Sequence, residues 1–191
     1  KGKISPRYVI VEILTAGMLV LLFKFFGLDI RFFTYSVFIS ILIVVSFIDI
    51  KYRIIPDELS IGGIVIGFLL SVIFPSIQGF SLRLHSSVSS LLGILVGGLI
   101  IYLLGLFGNL VFKKESMGGG DIKLLAMMGA FLGIKKVILI LLFAPVLAVP
   151  FAFFAKFFRK AETIPFGPFL ALAGAWLFIY GDQIAQTFFY F

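Results

Sequence analysis

Two aspartates in this 191-residue chain stand where carboxylates could do chemistry together. Asp49 closes an apolar run in Ser46-Phe47-Ile48-Asp49-Ile50-Lys51-Tyr52-Arg53. Asp121 follows Gly118-Gly119-Gly120 and opens the helical pattern Asp121-Ile122-Lys123-Leu124-Leu125-Ala126-Met127-Met128. Two carboxylates a few ångströms apart in a poorly solvated site cannot both ionise easily; they share a proton and titrate as a pair. One then acts as general base on a water, the other as acid towards a scissile amide. That is the chemistry of an aspartic protease. Plainer readings stand beside it. Asp49 also reads as an interfacial acid paired with Lys51 or Arg53, and Asp121 as an N-cap accepting from free backbone N–H groups. The glycines read either as a flexible turn or as room for backbone or substrate to approach a carboxylate closely.

The elements that must position these acids follow from composition. The chain is 61% hydrophobic and 13% charged, where a soluble domain is about a quarter charged. So few charges exclude a soluble globular enzyme and a disordered chain, and the absence of Cys excludes a disulfide-stapled module. The expected fold is all-α: a polytopic membrane helix bundle forming a single transmembrane domain over residues 1–191. The net charge of +7 comes without a basic patch in polar sequence, so the lipid bilayer and not nucleic acid is the expected partner. A spanning helix needs about 20 mostly apolar residues. Six segments qualify, at 8–26, 33–48, 59–74, 88–112, 137–158 and 166–189. A shorter one at 121–133, after the glycines, either crosses or re-enters, giving six to seven membrane helices.

Lysine and arginine set orientation. With seven crossings and the N-terminus in the cytoplasm, ten basic residues fall on the cytoplasmic side and five outside, with Lys123 inside the short segment. If that segment dips and returns, Lys135 and Lys136 move to the cytoplasm. With seven crossings, Asp49, Asp57, Glu58, Glu115, Asp121 and Glu162 all lie on the cytoplasmic side, while Glu12 lies within the first span. The one His, His85, falls in a loop on the opposite side, and there is no Cys. A Ser–His nucleophile or a Cys/His metal site therefore has no candidate beside the aspartates. Glu12 is expected to pack among helices with a hydrogen bond, because an unpaired charge there is expensive. Gly62, Gly63, Gly67, Gly93, Gly97 and Gly98 read as close helix contacts. Pro145 and Pro150 read as kinks.

The motifs resemble those of the type IV prepilin peptidases, membrane aspartic proteases of the GxGD class. Asp49 through Pro56-Asp57-Glu58-Leu59-Ser60 is similar to the family's first aspartate motif. Glu115-Ser116-Met117-Gly118-Gly119-Gly120-Asp121-Ile122-Lys123 is similar to its second, and Pro165-Phe166-Gly167-Pro168 to the segment opening its last helix. Ser5-Pro6-Arg7-Tyr8 with Glu12 and Thr15 resembles the entry to the catalytic half.

The resemblance implies that Asp49 and Asp121 are the catalytic dyad. It implies that Gly118 and Gly120 are motif glycines, that Asp57 is a lesser acid, and that Glu115 and Lys123 are frequent companions. It implies an inner-membrane endopeptidase that removes the basic leader of prepilins or pseudopilins after a Gly at the cytoplasmic face. Bifunctional members carry an N-terminal portion with two Cys-x-x-Cys pairs, linked to N-methylation with S-adenosylmethionine. Lys1-Gly2-Lys3-Ile4-Ser5 resembles the sequence just after the second pair, so peptidase without methyltransferase is the expectation for this chain. Zinc and S-adenosylmethionine would belong to such a portion alone, and peptidase activity would need no metal or cofactor. A presenilin-like protease and a proton-coupled transporter subunit are the alternatives. The first shares the second motif but matches less around Asp49; the second would place its acids nearer the bilayer midplane.

Overall fold

The computed structural model describes residues 6–112, 118–159 and 164–189, and every element among them is helical. Helix α1 spans Pro6–Phe26, α2 Ile30–Tyr52, α3 Asp57–Ile73, α4 Arg83–Phe112, α5 Gly119–Arg159 and α6 Gly167–Phe189, with a 3-10 turn at Pro75–Gln78. Among the described residues, five stretches are long and apolar enough to cross a bilayer: Tyr8–Phe26, Ile30–Tyr52, Arg83–Val111, Gly119–Phe157 and Gly167–Phe188. At 17 residues, α3 lies at the short end of the spanning range. The expected polytopic helical bundle is thus what the chain forms.

Helix α5 is two helices in one. Gly133 leaves helical geometry at φ 79° and ψ 175°, a backbone state that favours glycine. A Cβ there would also lie 2.4 Å from Ser89 Oγ. The break separates α5a (119–132) from α5b (134–159). Their contacts with α6 run in opposite senses. On α5a, Asp121 interacts with Asp49, which in turn touches Gly167, and Met128 lies beside Gly174. On α5b, Lys136 meets Asp182, Phe143 meets Trp176 and Phe151 meets Phe169. The chain therefore runs along α6 one way, turns at Gly133, and returns. Lys135 and Lys136 lie with Gln78 and His85, at the end of the bundle away from Asp49. This is the crossing arrangement of the 121–133 segment and not the dip. The break at Gly133 falls where the short segment read at 121–133 ends, and helical geometry runs on through Pro145 and Pro150, the positions read as kinks.

Helix α5a is the centre of the bundle. Every residue from Leu124 to Gly133 is buried, against Phe38 of α2 and Leu170 and Leu177 of α6 among others. Small residues let its neighbours approach. A Cβ on Gly93 of α4 would sit 2.5 Å from the Gly129 carbonyl oxygen, and one on Gly97 would sit 2.8 Å from that of Leu125. Gly63 and Gly67 of α3 receive Met127 and Phe131. Gly62 departs from the expectation: nothing lies within 4 Å of where its Cβ would be.

Breaking a helix strips the last carbonyls of their intrahelical partners, and in an apolar interior each unmade bond is costly. Three side chains meet this need at Ala130. Ser71 Oγ of α3 and Ser90 Oγ of α4 each donate to its carbonyl oxygen at 2.8 Å, and Gln78 Nε2 donates at 3.2 Å. The Gly133 end of α5a is thereby fixed to three other elements.

Two further expectations are corrected. Glu12 does not pack among helices; it is exposed, because α1 lies at the rim and packs chiefly on α2. His85 is exposed but stands in the first turn of α4, because that helix begins at Arg83, five residues earlier than the apolar pattern suggests.

Candidate active site

The sequence of α2 places Asp49 one turn before the helix ends. Arg53 stops the helix in the left-handed conformation, φ 58° and ψ 33°, and its N–H donates to the Asp49 carbonyl oxygen at 2.9 Å. The chain then passes Ile54 and Ile55 and enters α3 after Pro56, whose extended φ and ψ of −62° and 134° suit a helix entry. Asp57 and Glu58 occupy the first turn of α3, where acids favour the helix dipole.

Asp121 is brought to the same end of the bundle by α5a. It is not the N-cap that one reading suggested. The helix starts at Gly119, and the Asp121 N–H donates to the Gly118 carbonyl oxygen at 3.1 Å. The Gly118 backbone also hydrogen-bonds the Asp121 carboxylate. This is the geometry of an acid at the third helical position reaching back to its cap residue. Gly120 fits against α2's trailing segment: a Cβ there would lie 2.8 Å from Ile55 Cβ.

The two aspartates line one cavity of about 270 Å³, together with Arg53, Ile54, Ile55 and the three glycines. They lie near enough for the charge of Asp49 to act on Asp121. Asp49 is buried, with 6% of its surface exposed. Its Oδ2 accepts a hydrogen bond from the Gly167 N–H at 3.0 Å, at the first residue of α6. The pairing with Lys51 that the plainer reading offered is not formed; Lys51 Nζ instead bonds Tyr52 Oη. The charge of Arg53, from the cavity wall, does act on Asp49. The arrangement can hold a water or a peptide carbonyl between two carboxylates, with glycine backbone on one side.

Of the supporting residues, Gly118 and Gly120 line the cavity. Asp57 and Lys123 do not; they meet each other, Lys123 Nζ to Asp57 Oδ1 at 2.6 Å, tying the start of α3 to α5a beside the cavity. Glu115 and Glu162 lie outside the described residues. No group of three or more His, Cys, Asp or Glu side chains that could hold a metal occurs among the described residues. Sequence reasoning missed the part of Gly167 and of Ile55. The Pro165-Phe166-Gly167-Pro168 motif was the available signal for the first; nothing in the local sequence marks the second.

Comparison with known proteins follows the same lines. The type IV leader peptidase family matches residues 36–153. The prepilin leader peptidase/N-methyltransferase of Dichelobacter nodosus is 35% identical over 188 residues, covering 98% of this chain and 63% of that protein. The proteins of the same name from Xanthomonas campestris pv. campestris and Pseudomonas aeruginosa are each 31% identical. They cover 97% and 100% of this chain, and 63% and 64% of their own lengths. The chain thus spans a little under two thirds of these relatives. No solved structure matches it. With the family matched across most of the chain and both aspartates on one cavity, this protein belongs to the type IV leader peptidase family.

Proposed function

We propose that this chain is a membrane-embedded aspartic endopeptidase that cleaves the basic leader from prepilins or pseudopilins, with Asp49 and Asp121 as its dyad. The observation that carries the reading is the single cavity that both carboxylates line at one end of the bundle. One carboxylate takes a proton from a water, whose oxygen attacks the scissile carbonyl carbon. The other donates its proton to the amide as the tetrahedral intermediate collapses, so that the C–N bond breaks to an acid and an amine. The Gly167 N–H fixes one oxygen of Asp49 and leaves the other for the water. Glycines 118–120 present backbone to an extended substrate, which needs hydrogen-bond partners at membrane depth. The chemistry needs no metal and no cofactor.

The orientation that suits this reading puts the aspartates at the cytoplasmic face of the inner membrane, by the ten-to-five split of basic residues. A prepilin's apolar helix then enters from the bilayer while its leader stays in the cytoplasm. The relatives' names join a peptidase to an N-methyltransferase, and those proteins are longer; only the peptidase is proposed for the residues present.

Asp49→Asn and Asp121→Asn should each abolish leader cleavage of a purified prepilin in detergent, with helical content and thermal midpoint retained. Full activity in either variant rules out the dyad.

A further inference from the structure

We infer that Glu12 of α1 is a substrate-binding residue, the carboxylate that takes the positive charge of the leader beside the cut bond. The inference rests on the peptidase reading above and names a contact of that substrate outside the cavity of the dyad.

The depth of Glu12 follows from helix register. Helices α1 and α2 are joined by only Gly27, Leu28 and Asp29 and pack on each other, so they run antiparallel. Phe26 of α1 meets Tyr35 of α2, with ring centroids 5.5 Å apart. From that contact, fourteen residues back along α1 lead to Glu12, and fourteen residues on along α2 lead to Asp49. Each is a rise of about 21 Å, so Glu12 stands at about the depth of the dyad. Helix α1 is still on the bundle there, because Val11 packs against the core. Phe26 also meets Phe178 of α6, and Asp49 bonds Gly167 of α6. Helix α1 therefore borders the seam between α2 and α6 that ends at the dyad.

Glu12 is turned about 100° around the helix from Val11, and it is exposed. Yet it lies inside Tyr8–Phe26, a stretch apolar enough to cross the bilayer. Among the described residues no hydrogen bond or ion pair to it is formed. An ionisable group in such a stretch is costly without a partner, and the partner of a carboxylate is a cation. Other acids at this end are already engaged: Asp57 is held by Lys123, while Asp49 and Asp121 line the cavity. The substrate of the proposed reaction keeps an apolar helix in the lipid and carries its basic leader up to the cut bond. Its approach brings a cation past α1 at the depth of the dyad, where Glu12 faces outward to meet it.

The test is steady-state cleavage of a purified prepilin in detergent. Glu12→Gln should raise KM about tenfold, the worth of one polar pair at membrane depth, with kcat within about twofold and the thermal midpoint unchanged. Glu58→Gln removes an exposed acid from the first turn of α3 at the same end, and should leave both constants within about twofold. A charge swap gives the readout that a structural role would not move. A prepilin whose last basic leader residue is replaced by Glu should be a poor substrate for the unsubstituted chain and about tenfold better for Glu12→Lys. A KM within about twofold for Glu12→Gln, or no gain for Glu12→Lys on the acidic leader, would overturn the proposal. So would an unchanged KM with a smaller mass in detergent, which would assign Glu12 to contact with a second copy. If the unsubstituted chain cleaves no prepilin, the peptidase reading falls and this inference with it; cleavage that Glu12→Gln leaves untouched removes this inference alone.

Discussion

Gly167→Ala adds one carbon where the structure leaves no room for it. The new Cβ would lie 2.8 Å from Asp49 Oδ2, 3.3 Å from its Cγ and 3.4 Å from Ile55 Cδ1. Ordinary contacts of this kind sit near 3.5 Å, so the carboxylate must retreat by about 0.5 Å or more. That movement stretches the 3.0 Å bond from the Gly167 N–H, which is all that fixes Oδ2 in the described contacts. A 1 Å misplacement of a reacting group costs on the order of 100-fold in rate, so half of that predicts a loss of about 10-fold, or about 1.4 kcal/mol of barrier. The loss should fall on kcat in a prepilin-cleavage assay and leave KM within about twofold, because the substitution touches the carboxylate and not the glycine backbone offered to substrate. Stability gives the counter-check. Gly167 is the first residue of α6 and the crowding falls on one side chain, so the thermal midpoint should fall by no more than a few degrees while activity drops. A kcat within twofold of the unsubstituted chain would refute the idea that the start of α6 sets the position of Asp49.

Three other outcomes follow from the same geometry. Gly93→Ala should destabilise the fold by about 2 kcal/mol or more, because its Cβ meets the Gly129 carbonyl oxygen at 2.5 Å and helix backbones cannot yield as side chains do; Gly62→Ala, with nothing within 4 Å, should be neutral, and thermal unfolding in one detergent compares them. Asp57→Asn should cost less than about 1 kcal/mol of stability, because the pair with Lys123 is partly exposed and screened; a loss that grows in high salt would contradict this. Asp29 accepts hydrogen bonds from the Arg31 side chain and backbone N–H, which hold its carboxyl below the ordinary value of 3.8. Its contribution to stability is therefore present above that value and lost as pH falls through the lower folded value. The difference in thermal midpoint between the unsubstituted chain and Asp29→Ala should be constant from pH 7 to 5 and should shrink only in stronger acid.

What the sequence made legible was set by physics that acts locally. Charge is excluded from apolar runs, so Asp49 and Asp121 stood out at run ends, and both prove to lie at helix ends on one cavity. The long spans announced themselves by length and composition. Other features depend on partners distant in sequence. Because α5a is covered on all sides, it is apolar on all sides and has no face to reveal its neighbours. The end of the short segment at 133 showed as a gap between apolar runs, but what holds that end did not: Ser71, Gln78 and Ser90 repair the carbonyl of Ala130 from three other elements. Glu12 was misjudged because nothing in its own helix says that α1 would lie at the rim. The partner of Asp49 could not be read either, since the Gly167 N–H lies 118 residues away.

The brevity of α5a helps to fix where the two aspartates sit. The helix runs from Gly119 to the break after Leu132 and so rises only about 21 Å, against a hydrocarbon core of about 30 Å. The Gly133 end is pinned beside the 3-10 turn through Ala130 and Gln78, and Tyr35 of α2 bonds the Ile77 carbonyl oxygen of the same turn. From Tyr35 to Asp49 is fourteen residues of α2, again about 21 Å. Asp121 stands nine residues of α5a before Ala130, about 14 Å, so both aspartates are hung from one anchored layer by rigid helix and meet on one cavity. Helix α2 carries on past it by only one turn to Arg53. The cavity between the two carboxylates therefore lies within about one helical turn of the end of α2 and opens beside the start of α5a.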